Sequence, residues 1–300
     1  MILPTFLKVG DKIGIVSLAG RAESKHIDNA EKIFNSWGLN VEVGEFAKSS
    51  HFQFAGTDEQ RAADFQKMLD DNSIKAIISS RGGYGSVRVL EKLDWSNFNN
   101  NPKWIVGFSD ITIFHSFLNK NLRTASIHST MPVNFPEYPE TNSNIETLKS
   151  CLFGIKNEYK IPLNKLNRIG NSKAELVGGN LSVLYSIRGT NIDLNYKNKV
   201  LFIEDLSEYL YHLDRMMMNF KLGGIFENLK GLIIGSMSDM QDNKSPFGKN
   251  AYEIIFDAVK NYNFPVCFDF PAGHTSQNNA LILGKKITLA INNGGCSVKI

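Results

Sequence analysis

The chain has 300 residues, of which 42% are hydrophobic, and its 33 basic and 30 acidic residues give a formal net charge of +3. A chain of this length and composition can bury a large core, as one large domain or as two smaller ones. The charges are dispersed without a block of one sign, so nothing in the composition indicates a nucleic-acid partner.

Charged residues interrupt the apolar start of the chain at Lys8, Asp11 and Lys12, before a signal-peptide core could form. No other segment stays apolar for the length of a membrane span. The cysteines are few, odd in number and widely spaced, which favours reduced thiols over a disulfide framework or a zinc site. The sequence therefore predicts a cytoplasmic protein with no membrane partner and no metal.

The first half of the chain alternates short apolar runs with amphipathic ones. The apolar runs predict strands over residues 12–17, 39–43, 74–79 and 104–108. The amphipathic stretches predict helices over residues 27–37, 57–69 (opened by a capping box of Thr57 and Gln60), 87–90 and 110–118. This alternation predicts a parallel sheet covered on both faces, in which ligands lie beyond the carboxyl ends of the strands.

The second half has a different pattern. Helices are predicted over residues 142–153, 181–188, 209–221 and 252–261, and β-rich runs over residues 200–204, 231–236 and 265–270. Residues 281–300, with an Asn-Asn-Gly-Gly turn, predict a terminal hairpin, and the polar stretch 160–172 predicts a boundary. We therefore predict an α/β fold in two domains: residues 1–160, with a parallel sheet of the Rossmann or flavodoxin type, and a smaller, β-rich domain over residues 161–300.

Ser109 stands at the junction between a predicted strand and a predicted helix. Several unrelated hydrolases present a serine nucleophile at such a turn, because the turn exposes Oγ and the following helix N-terminus supplies positive potential. The ordinary alternative is that Ser109 or Asp110 only caps the helix. Acyl transfer is the first hypothesis, and partner residues must decide it.

A nucleophilic Ser109 needs a base, and the contexts of the six histidines leave two candidates, His128 and His274. His274 lies in a loop after an apolar run, where a rigid edge can carry a catalytic imidazole. The imidazole needs a carboxylate to fix its tautomer, and Glu204 and Asp205 both end an apolar run. We assign Glu204 to the histidine and Asp205 to a structural role, and the reverse remains open.

Acyl transfer also needs donors for the oxyanion, and the best source is the glycine-rich stretch from Arg81 to Ser86 after the strand over residues 74–79. One N–H from Gly82 or Gly83 and one from Asp110 would form the hole. A phosphate-binding loop is the competing interpretation. No Gly-Lys-Ser/Thr ending follows and the spacing is not that of the dinucleotide fingerprint, so no cofactor is predicted.

Five motifs together are more specific than any one of them. They occupy residues 81–85, 107–110, 178–181, 201–205 and 272–274. In this order they resemble the LD-carboxypeptidases, a family of serine peptidases that includes the microcin C immunity hydrolases. The resemblance runs from Gly10 to about Leu289 and so covers nearly the whole chain. One departure is Ser129, where relatives often carry glycine after the preceding histidine.

The resemblance implies a catalytic triad of Ser109, Glu204 and His274, in an active site between the two domains of the chain. It also implies that the protein forms a homodimer. It also implies an oxyanion hole formed by the N–H groups of Gly83 and Asp110. Further substrate contacts are predicted for Arg81, Gly82, Gly179 and Asn180. Alternatively, Asn180 only caps a helix after a tight turn, and Arg81 forms a salt bridge within its loop.

The expected activity is release of the terminal D-alanine from cytoplasmic muropeptide tetrapeptides during peptidoglycan recycling, with no cofactor. One alternative is hydrolysis of an aminoacyl-nucleotide antibiotic, whose base would stack on Phe135 or Tyr138. Another is a non-catalytic small-molecule binding protein, since two α/β domains around a cleft also describe receptors.

Overall fold

Two sheets organise the computed structural model, which describes residues 1–300. The strands are β1 (Lys12–Val16), β2 (Asn40–Val43), β3 (Ile74–Ser79), β4 (Trp104–Gly107), β5 (Ser126–His128), β6 (Glu158–Ile161), β7 (Gly170–Asn180), β8 (Lys199–Leu206), β9 (Gly231–Ser238), β10 (Val266–Cys267), β11 (Leu281–Leu283), β12 (Lys286–Asn292) and β13 (Gly295–Lys299). The helices are α1 (Ser24–Ser36), α2 (Asp58–Asp70), α3 (Ser86–Leu90), α4 (Thr112–Asn121), α5 (Ser143–Leu152), α6 (Leu181–Ser186), α7 (Leu210–Leu222) and α8 (Ala251–Val259).

The first sheet has the strand order β11-β5-β4-β3-β1-β2 and is parallel except for β11. Its strands bury both faces, because Ile15 packs with Phe34 of α1 on one side and Ile77 with Phe65 of α2 on the other. The helix α2 begins at the predicted capping box of Thr57 and Gln60. The predicted parallel sheet with helices on both faces is confirmed.

The second sheet has the strand order β10-β9-β8-β7-β12-β13-β6 and is mixed. The four strands from β10 to β7 are parallel, and the remaining pairings are antiparallel. Helices α6, α7 and α8 cover one face through side chains such as Leu184, Met216 and Ile255. The other face shares one continuous apolar core with the first sheet, in which Phe202 and Val106 both take part.

One predicted element is wrong in its pairing. The apolar run over residues 281–291 is divided at Gly284, and its first part, β11, pairs with β5 of the first sheet. Only β12 forms the terminal hairpin with β13. Apolar alternation reports which side chains are buried but not which strand they pair with, so the pattern could not show this change of sheet.

Strands β5, β6 and β7 are not evident from the hydrophobic pattern. The sequence predicts a tight turn at residues 178–180 before a helix capped by Asn180. The structure has the end of the long strand β7 in place of the turn, and Asn180 does cap α6. Strand β6 lies partly in the predicted boundary region. Neighbouring strands impose the extended conformation there despite low local propensity. The division of the domains at residue 160 stays a prediction.

No helix in the structure combines the length and the apolar character needed to cross a membrane. The three cysteines are buried free thiols. No group of three or more His, Cys, Asp or Glu side chains lies close enough to hold a metal ion.

Candidate active site

Ser109 follows β4 and begins a single 3₁₀ turn, Ser109–Ile111, which leads into α4. Its φ of 61° lies in the left-handed region, which costs a residue with a Cβ roughly 1–2 kcal/mol. Such strain persists only where the surroundings impose it, and strained residues concentrate at functional sites. The turn leaves the Ser109 side chain partly exposed at the carboxyl end of the first sheet.

The glycine-rich loop after β3 lies against the Ser109 side chain. A Cβ placed on Gly82 would be 2.9 Å from Ser109 Cβ and 3.1 Å from Ser109 Oγ, so only glycine allows this approach. Strands β3 and β4 are parallel neighbours, which brings the segments that follow them to the same edge. Gly83 and Asp110 both line a cavity of about 710 Å³ at this edge.

The Asp110 side chain has a role that the sequence did not indicate. Its carboxylate accepts a hydrogen bond from the Ser86 N–H at 2.8 Å. The backbone carbonyl oxygen of Asp110 accepts a second one from Ser86 Oγ at 2.7 Å. Burial raises the pKa of the Asp110 carboxyl. These contacts fix the end of the glycine-rich loop relative to the Ser109 turn.

His274 lies in the loop between β10 and β11 and meets residues from both sheets. Its Nδ1 is 2.7 Å from Oε2 of Glu204, which is fully buried at the end of β8. Its ring centroid is 4.8 Å from that of Phe108, the residue before Ser109. Because Nδ1 faces the carboxylate, Nε2 is the ring nitrogen available to the cleft. Three distant segments thus bring Ser109, Glu204 and His274 into one region.

The two adjacent carboxylates on β8 have different partners because successive strand residues point to opposite faces. Glu204 points into the core shared by the two sheets, where it meets His274. Asp205 points to the opposite face and accepts hydrogen bonds from Asn180 Nδ2 at 3.0 Å and the Ser182 N–H at 2.9 Å. Burial, together with the charge of Glu204, raises the pKa of Asp205 to about 7. Asp205 therefore holds the start of α6.

Three histidines are close together, but only His274 is partly exposed. Burial lowers the pKa of His115 to about 4, and that of His128 well below its ordinary value. Burial also acts to lower the pKa of His274, but the hydrogen bond with Glu204 and the charges of Glu204 and Asp205 outweigh it. The pKa of His274 is therefore raised. His128, the other sequence candidate for the base, is fully buried.

The residues predicted to contact substrate lie around this region. Arg81 is exposed, and its Nη1 donates to the Arg21 carbonyl at 2.9 Å rather than to a carboxylate of its loop. Gly179 pairs with Ile203 inside the second sheet. Asn180 caps α6 by accepting the Val183 N–H at 3.1 Å. Substrate contacts of Arg81, Gly82, Gly179 and Asn180 stay predictions.

Asn144 and Asn278 position the His274 loop, and no sequence pattern pointed to them. Asn144, at the start of α5, donates from Nδ2 to the Ser276 carbonyl at 2.9 Å and accepts the Asn278 N–H at 2.8 Å. Asn278 Oδ1 in turn accepts the Gly273 N–H at 3.0 Å. Asn144 is more than a hundred residues from both of its partners in the chain, so local spacing carries no signal of its contacts with this loop.

Gly273→Ala tests whether this region is an active site. It is expected to lower kcat/KM for the hydrolysis proposed below about a hundredfold, because a displacement of about 1 Å in an active site has an effect of this size. Gly273 has φ +119°, and an added Cβ would lie 2.8 Å from Glu204 Oε2 and 2.5 Å from Ser236 Oγ. The methyl group must therefore displace the carboxylate that meets His274. Steady-state kinetics of the purified variant measure the effect.

Gly248→Ala is the matched control. Gly248 also has a positive φ, +85°, but an added Cβ would meet nothing within 4 Å. It therefore reports the backbone strain without the steric clash. Equal activities of the two variants would contradict the proposed contact between residue 273 and Glu204.

Two family models match the chain. The LD-carboxypeptidase N-terminal domain matches residues 13–129, and the LD-carboxypeptidase C-terminal domain matches residues 173–289. A Bacillus subtilis protein named as a murein peptide carboxypeptidase is 30% identical over 290 residues, covering 95% of this chain and 91% of that protein. These matches place the chain in the class of carboxypeptidase hydrolases. It belongs to the LD-carboxypeptidase family.

Two further relatives span almost the whole chain. The crystal structure of muramoyltetrapeptide carboxypeptidase from Oxalobacter formigenes has a TM-score of 0.87 at 24% identity, covering 96% of this chain and 98% of that one. The microcin C7 self-immunity protein MccF of Escherichia coli is 26% identical over 99% of this chain and 95% of its own length. A structure of MccF in complex with aspartyl sulfamoyl adenosine has a TM-score of 0.88 at 22% identity, covering 100% of this chain and 99% of that one. The structural matches establish the fold.

Proposed function

We propose that the protein is a serine carboxypeptidase that hydrolyses the L,D amide bond before the terminal D-alanine of muropeptide tetrapeptides. The observation that carries the proposal is the 2.7 Å contact between His274 Nδ1 and Glu204 Oε2, next to a serine held at φ 61°. The relatives named as murein peptide and muramoyltetrapeptide carboxypeptidases support the substrate class.

In the proposed mechanism, Ser109 Oγ attacks the amide carbonyl carbon while His274 Nε2 takes the hydroxyl proton. The C–N bond then breaks, and His274 returns the proton to the leaving amine of D-alanine. Water attacks the acyl-enzyme with His274 again as base, which releases the tripeptide and restores the serine. Glu204 keeps the Nδ1–H tautomer and stabilises the imidazolium.

The negative oxygen of each tetrahedral intermediate needs donors that are already in place. We assign this role to the N–H groups of Gly83 and Asp110, because both residues line the same cavity and Asp110 directly follows Ser109. One such donor contributes about 3 kcal/mol to stabilising the transition state. The contacts of Asp110 with Ser86 support the assignment, because they hold the loop and the turn in a fixed relation.

The rate of D-alanine release is expected to rise with pH through an inflection above 6.5, the ordinary pKa of histidine. His274 must be neutral to accept a proton, and its raised pKa means that the active form appears at higher pH than for an unperturbed imidazole. A profile of kcat/KM against pH measures the inflection, and circular dichroism over the same range controls for unfolding. An inflection below 6.5 would contradict the assignment of His274 as base.

Mass spectrometry of a muropeptide mixture before and after incubation tests the function. We expect tetrapeptides to lose one alanine and free D-alanine to accumulate. A tetrapeptide ending in L-alanine serves as the control for stereochemistry and should remain intact. Unchanged D-alanine-terminated tetrapeptides, incubated with folded protein, would contradict the proposal.

A second candidate is hydrolysis of an aminoacyl-nucleotide by the same three residues, favoured by the likeness to MccF over nearly the whole chain. Of the two aromatic residues suggested for stacking, Phe135 is buried against Phe34 with a centroid distance of 5.6 Å. Tyr138 is 48% exposed and remains available. Comparing D-alanine release with cleavage of an acyl-sulfamoyl adenylate separates the two functions.

We further propose that the reaction takes place in the cytoplasm during peptidoglycan recycling and that the enzyme is a homodimer, as the resemblance implies. Membership of a carboxypeptidase family favours catalysis over a purely binding role. Light scattering of the purified protein tests the dimer, since a mass equal to one chain would contradict it.

A further inference from the structure

A second cavity, of about 410 Å³, lies beside His274. Its size falls within the range of roughly 300–1,000 Å³ that is common for small-molecule sites. Phe108 is its one hydrophobic lining residue, and no aspartate, glutamate, lysine or arginine lines it. Neutral polar groups therefore form most of its wall, and they come from both the segment after β5 and the His274 loop.

Two observations indicate that this wall suits a carboxylate. Thr130 is 1% exposed, lines the cavity, and its Oγ1 has no hydrogen-bond partner. A buried hydroxyl left in that state is costly, which points to a ligand that satisfies it. Asn144 in the first turn of α5 also lines the cavity, and the N–H groups at the start of a helix favour negative charge. The first-turn acid Glu146 is exposed and does not line the cavity.

The position of the cavity fixes which part of the substrate it can take. The larger cavity is lined by Gly83 and Asp110, whose N–H groups are the proposed oxyanion donors. The smaller one touches His274, which gives its proton to the leaving amine. The leaving group must therefore lie within hydrogen-bond reach of His274, on the side of the smaller cavity.

We propose that the smaller cavity is the leaving-group subsite, which holds the released D-amino acid with its carboxylate directed to Thr130 and the N-terminus of α5. This inference rests on the proposed function, since it takes His274 as the group that protonates the leaving amine. Arg81, which the sequence predicts as a substrate contact, does not line the cavity. Neutral donors and a helix terminus replace a cation here.

Ligand-observed NMR titration of the full chain tests the subsite without requiring turnover. The probes are D-alanine and D-alaninamide, which differ only in the carboxylate. We expect saturable binding of D-alanine to the parental protein and at least tenfold weaker binding of the amide, because the hydrogen bonds to a charged group are lost. Absence of saturable D-alanine binding, or equal binding of the two probes, overturns the proposal.

Two variants locate the contact. Thr130→Val replaces the hydroxyl with a methyl group. It should weaken the binding of D-alanine about tenfold and change the affinity for D-alaninamide less than twofold. Thr124→Val, the same change at a buried threonine that does not line the cavity, is its control. If Thr130→Val does not fold, Asn134→Asp provides the test, because Asn134 is exposed and lines the cavity. An added negative charge there should also weaken the binding of D-alanine more than that of D-alaninamide.

Asn191→Asp is the matched control for Asn134→Asp, since Asn191 is an exposed residue of the larger cavity. Weaker D-alanine binding in Asn191→Asp but not in Asn134→Asp would place the ligand in the wrong cavity and overturn the inference. Binding with the expected selectivity by a protein that leaves every tetrapeptide intact supports the subsite and contradicts the proposed function instead. Cleavage of tetrapeptides by a protein that does not bind D-alanine selectively supports the proposed function and contradicts the subsite.

Discussion

Ser109→Ala is expected to lower kcat/KM for D-alanine release on the order of 10⁶-fold, because removing the nucleophile of a triad removes the effect of the whole unit. Alanine has the same Cβ as serine, so the strained turn at φ 61° is retained and thermal stability should be unchanged. A chromatographic assay of released D-alanine over long incubations measures the residual rate. Activity within tenfold of the parental protein would contradict a nucleophilic role for Ser109.

Ser116→Ala is the control for this substitution. Ser116 is a buried serine on α4, the helix that follows the turn at Ser109, and its Oγ has no hydrogen-bond partner. Losing this hydroxyl should leave the kinetics unchanged. The pair of variants therefore separates loss of the reacting atom from a general effect of removing a hydroxyl from this part of the fold.

Glu204→Gln is expected to lower kcat about 10⁴-fold, because an amide facing His274 Nδ1 favours the wrong imidazole tautomer. The lost charge also removes the main opposition to the desolvation of His274. The pKa of His274 should fall, and the inflection of the pH–rate profile should move to lower pH. Kinetics at several pH values measure both effects in one experiment.

Glu175→Gln is the comparison for Glu204→Gln. Glu175 is also a poorly exposed glutamate of the second sheet, but it forms an ion pair with Lys199 at 2.6 Å, at the opposite end of the strand pair. Its substitution should affect stability and not the pH profile. An unchanged profile in Glu204→Gln, or the same shift in both variants, would remove Glu204 from the proposed mechanism.

The parallel first sheet could be predicted from the sequence because its strands are buried on both faces and appear as apolar runs between amphipathic helices. The strand-to-helix turn at Ser109 could be predicted for the same reason. The choice between Glu204 and Asp205 could not, since both end the same strand and the sequence does not show which face meets the histidine. Only the packing of β8 against the shared core separates their partners.

Local sequence patterns cannot predict contacts between residues that are far apart in the chain. The hydrogen bonds of Asn144 with the His274 loop depend on where α5 is placed after the chain has folded. The unpartnered Thr130 hydroxyl is likewise a property of the packed interior. The glycines of β7 have a low strand propensity, so the sequence does not predict this strand. Pairing with the neighbouring strands β8 and β12 holds it in the extended conformation.

The return of β11 to the first sheet has a consequence for how the cleft can open. The segment that carries His274 leaves the second sheet at β10 and enters the first at β11, so its two ends are anchored in different sheets. A hinge motion that separated the sheets would move the two ends of this connector apart and so disturb the position of His274 relative to Ser109. We therefore expect substrate to enter by movements of surface side chains and loops, with the sheets remaining together. An insertion or deletion in the connector would disturb the alignment of the imidazole even with Ser109, Glu204 and His274 intact.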